Sequence, residues 1–183
     1  MPAQNCNDSI PDFSNAFNYC DPEYSFGEVE RVIVAPIDIH ESITDLPSMD
    51  EAALIAAEAS GYIGIIPVKG SLDEPEQPEQ ETSLYRRAYP PARYTLEGNA
   101  DDLSTEAYTA LRDLNKKRVR MWFVSGKYIF GGALGLISDT RTFPVIEEGE
   151  ESLHRYHVRF EWRSDGKSPE RDSSPWYEDV DVS

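Results

Sequence analysis

Cysteine, histidine and positive charge are all scarce in this 183-residue chain. The two cysteines, Cys6 and Cys20, lie in the N-terminal segment. An isolated pair is no disulfide framework and has no zinc-ligand companions nearby, so both are read as free thiols of a protein assembled in the cytosol. Of the three histidines, His40, His154 and His157, the last two are three residues apart, a spacing that points them to opposite faces of a strand and makes them a poor metal pair. Against 34 acidic residues stand 17 basic ones, a formal net charge of −17. That balance argues against a surface that grips phosphates and against attraction to anionic membranes. Long apolar runs are missing too: nothing approaches the roughly 20 residues of a membrane helix, and Met1–Cys6 has neither the basic start nor the apolar middle of a secretory leader. A soluble, unprocessed chain with no membrane partner is expected.

Motifs that carry chemistry are absent as well. Gly126 to Gly135 holds several glycines but no Gly-x-Gly-x-x-Gly or phosphate-loop pattern opening a helix. Ser125-Gly126 lacks the flanking glycine of a nucleophile elbow and reads as a turn. Glu147, Glu148, Glu150 and Glu151 form a Glu-rich hairpin tip without the alternating Asp/Asn spacing of a calcium loop. No catalytic residue, metal or cofactor is expected, and the chain reads as a protein that is not an enzyme.

What the sequence does contain is strand. Apolar residues make up 39% and aromatics 11%, enough for a folded domain with a real core, and ten Tyr, seven Phe and three Trp suit pleated surfaces. Residues 1–27, rich in Asn, Asp, Ser and Pro, read as an irregular arm; 28–165 as one domain; 166–183 as an acidic tail. Within the domain, Glu30–Ile39 reads as a strand whose Pro36 marks an edge or bulge. Ser48-Met-Asp-Glu51 has the form of a capping box, so a helix near 49–60 is expected, with Gly61 ending it. Tyr62–Val68 reads as the next strand, Gly70–Ser83 as a long exposed acidic loop, and Arg93–Glu97 as a short strand. Leu103, Ala107, Ala110, Leu111 and Leu114 share a face at helical period, giving a helix near 103–115 with Asp101, Asp102 or Ser104 as its cap. Strands 118–124 and 127–131 are expected to form a hairpin about Ser125-Gly126, and Gly131, Gly132 and Gly135 imply a bulge or a close backbone approach. In Tyr156–Arg163, Tyr156, Val158, Phe160 and Trp162 alternate with polar partners in a two-faced strand. The fold class expected is mostly β with one or two helices (α+β), an antiparallel β-sandwich or barrel with a flanking helix.

This order of elements resembles the tail tube proteins of tailed bacteriophages, and more narrowly the tail-tube-like proteins of phages that infect Bacteroidetes. The stretches that carry the resemblance are Cys20 to Gly27, Val32 to Ile39, Ile43-Thr-Asp45 with the helix after it, Ile63 to Val68, Leu114-Asn115, Gly126-Lys-Tyr128, Gly132 to Gly135, Tyr156 to Trp162 and Asp165-Gly166. They span roughly residues 20 to 170. The Gly-Asp that often precedes the last strand of those proteins is replaced here by Glu147 to Leu153.

The resemblance implies six-membered rings stacked into a hollow tube, with an acidic lumen that conducts DNA without binding it specifically. Partners would be other copies of the chain and other tail or connector proteins, and the location a virion tail assembled in the bacterial cytoplasm. Inter-ring or subunit contacts are expected from Asp73, Glu74, Glu76, Glu79 and Glu81, arm and tail contacts from Phe13, Phe17, Tyr19, Trp176 and Tyr177, and a polar or lumen face from Arg159, Glu161 and Arg163. Edge strands left open would invite strand addition by a neighbouring copy. Two other readings stay open: a head–tail joining, tail-completion or capsid-decoration protein, and a small-ligand-binding or hydrolytic β-barrel using carboxylates such as Glu97 and Glu161.

Overall fold

Strands form where β-branched and aromatic residues alternate, and the two helices form where Ala and Leu recur at helical spacing. The computed structural model describes residues 28–76, 80–83, 86–88, 91–100, 104–146, 154–164 and 169–173. Along them run β1 (Val29–Ala35), α1 (Glu51–Ala59), β2 (Gly64–Leu72), β3 (Gln80–Ser83), β4 (Arg86–Ala88), β5 (Ala92–Ala100), α2 (Thr105–Leu114), β6 (Arg118–Ser125), β7 (Tyr128–Phe130), β8 (Leu136–Ile146), β9 (His154–Ser164) and β10 (Arg171–Ser173).

Six strands close on themselves in the order β1-β2-β5-β9-β8-β6, with β6 returning to β1 through Arg31↔Val124 to Ala35↔Arg120. Every pairing is antiparallel, so the fold is an α+β antiparallel barrel. β7 continues the sheet beyond the far end of β6, and β10 pairs with β7, which carries the sheet past residue 165. Closure removes most open edges, so the expectation of strand addition gives way: each barrel strand already has two neighbours over part of its length.

The interior is filled by the inward residues of β5 and β9, including Tyr94, Leu96, Tyr156, Val158, Phe160 and Trp162, together with Val32, Val34, Ile66, Met121 and Phe123. α2 covers one end with Ala107, Ala110, Leu111 and Leu114. At the other end Tyr94 stacks on Trp162 (5.3 Å between ring centroids) and Phe123 on Phe130 (4.8 Å). A second core lies outside the barrel, where Ile33, Ile65, Trp122, Val124 and Ile129 are covered by Ile43, Leu46, Leu54, Ala57 and Ile63 from the α1 layer. β1 and β6 are therefore buried on both faces, which is why they read as continuous apolar runs.

The glycines after β7 serve this outer core. A Cβ on Gly131 would meet Trp122 Cδ1 at 2.8 Å, and one on Gly135 would meet Trp122 Cζ2 at 2.7 Å. Both have positive φ, and the Gly132 carbonyl accepts a hydrogen bond from Trp122 Nε1 at 2.7 Å.

Three local expectations are corrected. The cap of α1 is Asp50, whose Oδ1 accepts from Ala53 N at 2.7 Å; Ser48 belongs to a preceding 3₁₀ turn and donates to Asp45 Oδ2 at 2.6 Å. The Gly70–Ser83 loop is partly strand, because β2 runs on to Leu72 alongside β5 and Gln80–Ser83 pairs with β4. β8 is an eleven-residue strand in a stretch where no strand was expected. Its inward residues are Ser138, Thr140 and Thr142, and its outward ones include Ile137 and Phe143, an inverted pattern.

That inversion has a cause in α2. Thr140 Oγ1 donates to the Leu114 and Lys117 carbonyls (2.6 and 2.8 Å), and Thr142 Oγ1 donates to the Leu111 carbonyl (2.6 Å). A helix end leaves its last carbonyls without intrahelical partners, and here the facing strand supplies them. Asn115 Oδ1 accepts from Thr142 N, and Lys116, in the left-handed region at φ 62°, donates its N–H to the Thr140 carbonyl.

Candidate interaction face

The alternation that fills the barrel sets the opposite residues of β5, β9 and β8 on its outer surface. Register then decides which of them meet. Glu97 stands opposite Arg159, Thr95 opposite Glu161, and Asn99 opposite His157 across β5 and β9. Across β9 and β8, Glu161 faces Asp139, Arg159 faces Arg141, and His157 faces Phe143.

Glu161 is the hub. Arg93 donates a hydrogen bond to its Oε2, and Arg159 Nε lies 2.7 Å from its Oε1, an ion pair without hydrogen-bond alignment. Burial pushes the Glu161 carboxyl up, but the Arg93 hydrogen bond and the charges of Arg159, Arg93 and Arg141 outweigh it and hold the group below its ordinary value. Arg159 also reaches Glu97 (Nη1 to Oε1, 3.1 Å). Glu97 Oε2 is 3.8 Å from His157 Nε2, and His157 Nδ1 is 3.3 Å from Asn99 Oδ1. Phe143, half exposed, lies tilted against the His157 ring at 4.8 Å. Beside it Asn115, Lys116, Arg141 and His157 line an open cleft of about 760 Å³.

Comparison with protein-family models, with curated proteins and with solved structures found no match. Both carboxylates proposed for a hydrolytic barrel, Glu97 and Glu161, are held by arginines. A general acid needs its carboxyl kept protonated by a raised pKa, and Glu161 is displaced the other way. A dense net of ion pairs with exposed apolar side chains beside it suits contact with another protein surface better than proton transfer.

Arg159, Glu161 and Arg163 do share this outer face, the first two in the ion-pair net and Arg163 exposed opposite Arg93. Asp73, Glu74 and Glu76 are exposed where the chain leaves β2 along β5: Asp73 N donates to the Thr95 carbonyl, and Glu76 and Arg93 exchange backbone hydrogen bonds (2.9 and 2.8 Å). Glu81 is placed by its backbone in β3, opposite Arg87. Glu79, Phe13, Phe17, Tyr19, Trp176, Tyr177, Cys6 and Cys20 lie outside the described residues.

Sequence reasoning missed Arg93, Arg141 and Phe143. The last two sit on β8, and the signal that could have found them is strict alternation of Ile137, Asp139, Arg141 and Phe143 with Ser138, Thr140 and Thr142.

Proposed function

We propose that this chain is a structural virion subunit, a tail tube protein whose copies form rings that stack into a channel for phage DNA. One observation carries the reading: the barrel spends its interior on its own packing and keeps its exposed sheet face for ion pairs and apolar contacts. Such a barrel works through its outer surface. The resemblance of the sequence to phage tail tube proteins is the reason for preferring this role among those a packed barrel could serve. Of the two expectations for Arg159, Glu161 and Arg163, a polar face or a lumen, this reading takes the polar face, because the exposed Arg141 and Arg163 beside them would attract a polyanion rather than let it slide. The channel wall is assigned to acidic surfaces elsewhere, and the arginine-bearing face to protein contact. Other copies and other tail or connector proteins are the partners.

Negative-stain electron microscopy with light scattering across concentration tests this. Hollow rings or tubes are expected from the purified chain. A chain that stays monomeric at high concentration overturns self-assembly and leaves a joining or decoration role that needs a different partner.

A further inference from the structure

A chain with net charge −17 repels its own copies, so a contact between copies is favoured where it brings unlike charges together. The outer face of the barrel offers such a pairing because its sign changes across the sheet. On β8 and β9, Arg141, Arg155, Arg159 and Arg163 stand against two carboxylates, Asp139 and Glu161. On the β2–β5 side, Asp73, Glu74, Glu76 and Glu97 stand against Lys69 and Arg93. From Gly70 to Ser83 the sequence has no basic residue at all. The arginine half also carries exposed apolar side chains, Phe143 and Ile137.

We propose that the arginine half of the β8–β9 face receives the Asp73–Glu76 edge of a second copy. The contact joins two unlike surfaces, the arrangement a ring requires. Exposed cations stand on the receiving side: Arg141 and Arg163 are exposed, and neither makes a direct ion pair with another of the described residues. Edge and face lie on one molecule and both are exposed, so each is open to the complementary surface of another copy. The inference rests on the reading that the chain assembles with itself, and it names the surfaces that do so.

Sedimentation velocity on the full chain, across concentration and at about 0.05 and about 0.5 M salt, tests it. Two variants each reverse one surface, Arg141→Glu with Arg163→Glu, and Asp73→Lys with Glu76→Lys; a third combines all four. All four positions are exposed, and thermal melts check that the fold survives. Each single-surface variant is expected to need at least about tenfold more protein to associate, the combined variant to recover association, and high salt to weaken the wild-type contact. The lysine variant is the sharpest arm, because it makes the chain less negative: if general repulsion alone governed assembly, it would associate more readily. Wild-type assembly with unchanged association in both variants overturns this interface and leaves self-assembly standing. A wild-type chain that never associates removes the assembly reading, and the interface with it.

Discussion

β8 and β9 are neighbours of equal length, paired from Asp139↔Glu161 to Ile146↔His154, yet their buried residues are opposite in kind. β9 turns Tyr156, Val158, Phe160 and Trp162 inward; β8 turns Ser138, Thr140 and Thr142 inward. What differs is the surface each one meets. β9 faces the aliphatic and aromatic interior, whereas β8 faces the last carbonyls of α2, which need donors. Inward polarity in a strand is thus set by what lies across from it, and a buried threonine can be as well placed as a buried phenylalanine.

Substitutions at one register pair, Thr140↔Phe160, sharpen that contrast most. Phe160→Ala is expected to cost about 3–5 kcal/mol in urea denaturation, the combined effect of lost burial and an unfilled cavity. Thr140→Val keeps shape and removes the donor to two carbonyls, so a loss of about 1–3 kcal/mol is expected. A stabilised Thr140→Val variant would show that the Leu114 carbonyl needs no donor from Thr140. Smaller and conditional on pH is Glu161→Gln. The Glu161 carboxyl titrates below its unfolded value of about 4.3 when folded, so its stabilising contribution is complete above that value and is lost as pH falls through the folded one. The wild-type melting temperature should therefore drop more steeply on acidification than that of the glutamine variant, and parallel curves would sink the assignment. Smallest of all is Phe143→Ser, on the outward side of β8, expected to shift stability by no more than about 0.5 kcal/mol.

The same contrast explains what could be read in the sequence. β9 was legible because its alternation matches an apolar interior, and α2 because its four buried residues share a face above the Ser104 cap. β8 was not, since its inward side is polar for a reason supplied by α2, some thirty residues earlier in the chain. The α1 cap went to Asp50 rather than Ser48 because two side chains two residues apart both offer an oxygen, and only the folded turn decides which meets Ala53 N. The run of β2 into the acidic segment depends on β5 lying beside it, a tertiary fact. Of the outer face, the β9 residues Arg159, Glu161 and Arg163 were visible as a polar stripe. Their joining to Arg93, Glu97 and Arg141 needs the register of three strands, which no local pattern encodes.

Pro144 gives the last part of β8 a further consequence. The N–H groups of Thr140 and Thr142 point away from β9, to the Lys117 carbonyl and Asn115, and the two-residue period of a strand aims the nitrogen of Pro144 the same way. Among the described residues no strand pairs with that side of residues 142–146. A proline there withholds the donor that a foreign strand would seek, as edge strands that resist fibre growth do. A second chain that meets this end finds side chains there and no continuous row of backbone donors, so sheet-to-sheet growth through residues 142–146 is blocked.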